Sequence, residues 1–136
     1  MVIMTKKRKF KFDKLIRDNI PKICKAEDID LNYRTLNSGE HINALKDKLV
    51  EEATEILNAK TKDEIAEEIA DVLEVIDALK KVANISEDEI LKQKDDKLNF
   101  KGSYYDGIYG NYVNIDSNHE LTAYYLSEKD RYPEID

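Results

Sequence analysis

The spacing of hydrophobic residues predicts two long amphipathic helices in the middle of the chain. Across residues 37–59 they recur at intervals of three and four, which places them on one face of an α-helix. Residues 62–82 repeat the pattern after a short connection, so an antiparallel helical hairpin is expected. The two apolar faces comprise Ile42, Leu45, Leu49, Ala53, Ile56 and Leu57 on the first helix and Ile65, Ile69, Val72, Leu73, Ile76 and Leu79 on the second.

Three capping boxes mark where helices begin. In a capping box a Ser, Thr or Asn accepts a hydrogen bond from the backbone three residues on, where a Glu bonds back. The pairs are Asn37 with Glu40, Thr61 with Glu64, and Ser86 with Glu89. They predict helices over residues 37–59, 62–82 and 86–97. A shorter helix is expected after Asp18 as its cap, with Pro21 in the first turn. The predicted class is all-α.

Two segments have a less helical pattern. Residues 31–36 (LNYRTL) predict a short extended segment. Beyond Phe100 the chain holds three of its four glycines and seven of its eight tyrosines. In this Tyr-rich tail KGSYYDGIYGNYVNI and ELTAYYLS are compatible with strands or with an ordered loop. The tyrosines argue against disorder, because disordered segments are poor in aromatic residues.

Composition narrows the function classes. The 136 residues suffice for one domain, taken as residues 1–136 with a core at about 12–108 and a tail at 109–136. The formal net charge of −7 argues against nucleic-acid binding, and the basic run at residues 6–9 with Lys11 is interpreted as a solvated arm. No apolar run is long enough to predict a membrane span. The single cysteine, Cys24, excludes an internal disulfide, so a cytoplasmic location and a core role for Cys24 are expected.

Four carboxylates share one offset on the two long helices. Glu52 and Glu55 form an E-x-x-E pair, and Glu68 and Asp71 form an E-x-x-D pair. On a helical wheel Glu52 and Glu68 fall within the apolar arcs, and their partners lie about 60° further out. Other acids, including Glu51 and Glu74, lie nearly opposite the arcs, where solvated acids are expected.

Carboxylates beside an apolar seam need a counter-charge. Burial and mutual repulsion both disfavour their ionised form. A divalent cation such as Mg²⁺ would offset both effects, whereas salt bridges to lysine are the simpler explanation. A single hairpin offers too little cover for its own seam. We therefore expect a homodimer or higher homo-oligomer, in which two hairpins complete a four-helix bundle.

Two further motifs accompany these acids. The chain resembles the MazG-like, all-α nucleoside triphosphate pyrophosphohydrolase superfamily in four segments. They are, in chain order, DKLIRDNIPKI, KLVEEATEIL, EEIADVLEVIDAL and KGSYYDGI. This superfamily includes phosphoribosyl-ATP pyrophosphohydrolase and dimeric dUTPase. The resemblance implies hydrolysis between the α and β phosphates, giving a nucleoside monophosphate and pyrophosphate. It also implies Mg²⁺, with Mn²⁺ as an alternative ion, held by Glu52, Glu55, Glu68 and Asp71.

The remaining site predictions concern catalysis and substrate. Glu52 or Glu55 is the expected general base. The basic and aromatic residues expected to contact substrate are Lys14, Arg17, Lys94, Lys97, Lys101 and Tyr104. The chain departs from the family pattern at Lys101, where Arg is usual, and at Tyr104, where Phe is usual, so substrate identity is not predicted. The alternatives are a specialised phosphoribosyl-ATP or dUTP hydrolase, a non-catalytic nucleotide-binding or sequestering protein, and a purely structural dimerisation module.

Overall fold

The computed structural model describes residues 5–136 and contains five α-helices. They are α1 (Ile20–Ala26), α2 (Ser38–Asn58), α3 (Lys62–Val82), α4 (Glu87–Lys101) and α5 (Glu120–Ser127). No strand occurs among the described residues, so the predicted all-α class is confirmed. None of the helices in this part of the chain is both long and apolar enough to cross a bilayer.

All three predicted capping boxes cap their helices. The Asn37 side chain accepts a hydrogen bond from the Glu40 backbone N–H at 2.9 Å, and Thr61 Oγ1 accepts one from the Glu64 N–H at 3.1 Å. The third box is fully reciprocal. Ser86 Oγ accepts from the Glu89 N–H at 3.1 Å, and Glu89 Oε2 accepts from the Ser86 N–H at 3.2 Å.

The first helix begins one residue later than expected. Asn19, rather than Asp18, is at the N-cap position of α1, and its side chain makes no capping hydrogen bond. Pro21 lies in the first turn as predicted. Its missing N–H costs little there, because the first backbone donors of a helix have no intrahelical partner.

No strand forms in either of the two segments with a less helical pattern. Residues 31–36 are irregular, since the described chain provides no strand with which they can pair. In the tail, ELTAYYLS forms α5, because His119 Nδ1 caps it by accepting from the Leu121 N–H at 3.0 Å. The segment that follows α4 has no regular structure. Gly102 ends α4 with a φ of +80°, a conformation that favours glycine, and its N–H donates to the Leu98 carbonyl.

The chain divides into two compact units, one ending at Asp96 and the other spanning Lys97–Asp136. In the first, α2 packs against α3 as the predicted hairpin. Its buried hydrophobic residues are Cys24 on α1, Leu45 on α2 and Val75 on α3, with Leu45 only 2% exposed. Each of these three helices therefore contributes one buried hydrophobic residue.

Much of the apolar face of the hairpin remains exposed. On α2 Leu57 is 84% exposed, and on α3 Ile65, Ile69 and Leu73 are exposed as well. All four belong to the predicted apolar arcs. The first unit thus leaves part of the seam uncovered.

In the second unit, three tyrosine rings form the main cluster. The ring centroids of Tyr124, Tyr125 and Tyr132 lie 5.0–6.0 Å apart, and the Arg131 guanidinium lies over the Tyr132 ring. Tilted and edge-on pairs of this kind are favoured by the ring quadrupole. The end of the chain is therefore ordered around its own aromatic side chains.

Candidate functional site

Three of the four predicted metal ligands converge between α2 and α3. Carboxylate oxygens of Glu52, Glu68 and Asp71 all lie within 4.8 Å of one another, and all three residues are partly buried. The two helices run side by side after a short connection, so Glu52 on α2 meets Glu68 and Asp71 on α3 across the seam. We call these three residues the carboxylate cluster.

Glu55, the fourth predicted ligand, lies outside this cluster. It is exposed, one turn beyond Glu52 on α2. Its charge nevertheless helps to raise the pKa of Glu68, so it lies close enough to influence the cluster. Its role as a ligand or general base remains a prediction.

Glu68 lies in an environment that disfavours its negative charge. Its pKa is raised above the usual value by partial burial and then by the negative charges of Asp71, Glu55, Glu52 and Glu67. Both causes disfavour the ionised carboxylate. A cation bound in the cluster would reverse this, because it attracts the charges that now repel one another.

Two basic side chains neutralise the other members of the cluster. Arg17 Nη2 lies 2.7 Å from Asp71 Oδ1, and Lys48 Nζ lies 3.3 Å from Glu52 Oε1. The Lys48 side chain is only 16% exposed, so its ammonium group is held at the cluster. Arg17 was expected at the site from the sequence, whereas Lys48 was missed. Its i, i+4 spacing from Glu52 was the available signal.

A second set of ion pairs involves Glu51. Lys14 Nζ lies 2.9 Å from its carboxylate, and Lys48 lies 3.3 Å from it. The hydrogen bond to Lys14 is the main cause that lowers the pKa of Glu51 and raises that of Lys14. The expectation that Glu51 is a freely solvated acid is therefore wrong. The helical wheel gives the position of Glu51 on α2. It carries no information on the segment before α1, from which Lys14 reaches Glu51.

A cavity of about 470 Å³ adjoins the cluster. Glu52, Asp71, Arg17 and Lys48 all contribute to its wall. Its apolar lining comes from all three helices of the core and from the segment before α1, as Leu15, Ile16, Ile20, Ile23, Leu45, Val75 and Ala78. The cavity thus combines charged groups of both signs with an apolar wall, as small-molecule sites commonly do.

A larger groove of about 850 Å³ lies beside the same segment. Lys14, Arg17 and Lys48 line it, together with residues 31–36 and the first half of α2. The Arg34 guanidinium holds the 31–36 segment to α2 through two hydrogen bonds to the Glu40 carboxylate, at 2.9 and 3.3 Å. The groove is therefore lined by charges of both signs, and its basic side chains are Lys14, Arg17, Arg34 and Lys48.

The other predicted substrate contacts lie elsewhere in the chain. Lys94 is exposed on α4 in the first unit. Lys97, Lys101 and Tyr104 belong to the second unit and are exposed, with Tyr104 97% exposed. Their contact with substrate remains a prediction.

The donor set fits a hard divalent cation. All three members of the cluster offer carboxylate oxygens, the ligands that Mg²⁺, Mn²⁺ and Ca²⁺ prefer, and the set does not select among these ions. Glu52, Glu68 and Asp71 are the residues that would hold the ion. Comparison of the chain with known protein families, curated proteins and solved structures found no match.

Proposed function

We propose that the protein is a cytoplasmic, Mg²⁺-dependent nucleoside triphosphate pyrophosphohydrolase that releases a nucleoside monophosphate and pyrophosphate. The convergence of Glu52, Glu68 and Asp71 carries this proposal. These are three of the four positions that the resemblance to MazG-like enzymes marks as metal ligands. The single cysteine supports the cytoplasmic part, because a lone thiol suits a reducing compartment.

Phosphoryl transfer requires positioning and neutralisation of charge more than covalent chemistry. Mg²⁺, when bound, would polarise the phosphates and lower the pKa of an attacking water. Arg17, Lys48 and Lys14 are the basic groups nearest the cluster and would neutralise the remaining phosphate oxygens. Glu52 or Glu55 would accept the proton of the water.

We also propose that two copies of the chain associate through the uncovered part of the hairpin. Leu57, Ile65, Ile69 and Leu73 form an exposed apolar set on α2 and α3. Exposed apolar surface of this kind is typical of interaction sites. A second hairpin would cover it and complete a four-helix bundle around the carboxylate clusters.

A substrate screen tests the activity. The protein is incubated with Mg²⁺ and a panel of ribo- and deoxynucleoside triphosphates, with dUTP and phosphoribosyl-ATP included, and the products are separated by ion exchange. Equal amounts of monophosphate and pyrophosphate, lost when EDTA is added, support the proposal. Diphosphate with inorganic phosphate contradicts the assigned bond.

The same samples separate an enzyme from a binding protein. Nucleotide binding measured by calorimetry, with no product at high protein concentration, indicates the sequestering alternative. Turnover of phosphoribosyl-ATP or dUTP alone indicates a specialised hydrolase. If the protein neither binds nor hydrolyses any nucleotide, the nucleotide assignment is rejected.

A further inference from the structure

The two members of the carboxylate cluster that line the cavity, Glu52 and Asp71, each already have a basic partner. Arg17 donates to Asp71 across 2.7 Å, and Lys48 lies 3.3 Å from Glu52. Among the ion pairs of residues 5–136, none involves Glu68. Two of the three members of the carboxylate cluster are thus neutralised by the chain itself.

A bound divalent cation would compete with these partners. It needs carboxylate oxygens of Asp71 and Glu52, and it repels the guanidinium and ammonium groups that now lie beside them. Each basic group is held at its carboxylate by noncovalent contacts alone. The long stems of both side chains are flexible, so a stronger competing charge can draw each group to a new partner.

The surroundings give both groups another place to bind. Arg17 and Lys48 line both the cavity and the larger groove, so their heads can turn away from the carboxylates without leaving the site. A triphosphate bound there presents oxygens of the same charge as the carboxylates. Guanidinium and ammonium groups bind phosphate oxygens through charge-assisted hydrogen bonds.

We propose that Arg17 and Lys48 are exchangeable counter-ions, which neutralise Asp71 and Glu52 in the metal-free protein and transfer to phosphate oxygens when metal and triphosphate bind. The inference rests on the proposed function and adds a coupling between the two ligands. The basic groups oppose binding of metal alone and favour binding of metal together with triphosphate. Removing either charge therefore shifts these two affinities in opposite directions.

Arg17→Gln and Lys48→Met test this coupling, because each removes the charge and keeps most of the stem. Lys46→Met, an exposed lysine on the same helix, is the matched control. Mn²⁺ binding is measured by electron paramagnetic resonance, first alone and then with saturating inorganic tripolyphosphate. Tripolyphosphate binding in the presence of Mn²⁺ is measured by calorimetry.

The two variants should bind Mn²⁺ alone more tightly and tripolyphosphate more weakly. Each change should be at least about fivefold, the lower end of typical coupling between sites. Lys46→Met should match the wild type in both. Arg17→Lys keeps the charge and should lie between the wild type and Arg17→Gln.

Other results overturn the inference. If wild-type protein binds Mn²⁺ and releases pyrophosphate while Mn²⁺ affinity is unchanged or weaker in both variants, the pairs only hold the fold and the exchange is rejected. Thermal unfolding of each variant identifies any loss of fold. If Arg17→Gln does not fold, the same binding measurements on Arg17→Lys decide the outcome. If the wild type binds no Mn²⁺, the metal site of the proposed function fails first, and the inference fails with it.

Discussion

The two ends of the α2–α3 hairpin share one amphipathic pattern but differ in burial. At the open end, where α2 begins and α3 finishes, Leu45 and Val75 are buried. At the loop end, Leu57 and Ile65 are exposed. The difference comes from the segment before α1 and from α1 itself, which line the cavity against the open end only. A hydrophobic pattern therefore identifies surface that needs cover, but not which partner supplies the cover.

The carboxylate cluster lies between these two ends. On its open side Arg17 reaches it from the segment before α1, and Lys14 from the same segment pairs with the adjacent Glu51. On its loop side the neighbouring apolar residues remain uncovered. One side of the cluster is thus covered by the chain's own segment before α1, and a second copy would cover the other side.

The largest expected effect is on the cluster itself. Glu68→Gln removes the charge of a proposed metal ligand without changing its shape, so pyrophosphate release should fall by at least about 10²-fold, as expected when charge stabilisation is lost from a transition state. Because the pKa of Glu68 is raised, removing its charge relieves repulsion, so the melting temperature of the metal-free protein should rise or stay unchanged.

Glu67→Gln is the matched control for this prediction. It removes the same charge from the adjacent, exposed position and should retain nearly full activity. Equal activity in Glu68→Gln and wild type would reject the cluster as the catalytic centre. A fall in both variants would point to net charge rather than to ligation.

Two leucine variants test the difference in burial between the two ends of the hairpin. Leu45→Ala should lower the free energy of unfolding by about 2–5 kcal/mol, because it opens a cavity in the small core. Leu57→Ala makes the same change on the same helix and should cost far less in dilute protein, where its side chain stays in water. Urea unfolding measures both, and equal losses would contradict the burial difference.

Protein concentration then extends this test to the loop end. If a second copy covers Leu57, its substitution should become more costly as the concentration rises, because the free energy of a dimer depends on concentration. A cost that stays constant would indicate that Leu57 is not at an interface.

A charge at the loop end tests association directly. Ile65→Asp should raise the dimer dissociation constant by at least about tenfold, since a carboxylate would enter an apolar contact. Leu91→Asp, at a residue of similar exposure on α4, is the control, with 43% exposure against 39% for Ile65. Sedimentation velocity measures both. A wild-type protein that is monomeric at micromolar concentration would reject the dimer.

The helices of the first unit were predictable because their signals are local. Capping boxes act over three residues and amphipathic periods over a few turns, so the bounds of α2 and α3 follow from short stretches of sequence. The approach of Glu52 to Glu68 and Asp71 was predictable for a related reason, since these acids lie at the edges of the apolar faces by which α2 and α3 pack together.

Other features depend on contacts between distant parts of the chain. The pairing of Lys14 with Glu51 spans 37 residues, and that of Arg17 with Asp71 spans 54. No periodicity signals such pairs. The helix α5 was missed for a different reason, because aromatic residues favour strands in isolation while a His119 cap is a weak signal in sequence.

The smallest expected effect concerns pH and the Arg34–Glu40 pair at the open end. The hydrogen bond from Arg34 is the main cause that lowers the pKa of Glu40 below its usual 4.5, followed by a hydrogen bond from the Asn37 backbone. A carboxyl group whose pKa is lower in the folded than in the unfolded protein stabilises the fold at pH values above its unfolded-state pKa. This stabilisation is lost as the pH falls through its folded-state pKa. Urea midpoints should therefore show wild type above Glu40→Gln at neutral pH, with the gap closing below about pH 4.5. Arg34→Gln should reproduce the gap, and the double variant should add little to it, because both substitutions remove one interaction. A gap that does not change with pH would assign the effect of Glu40 to something other than its charge.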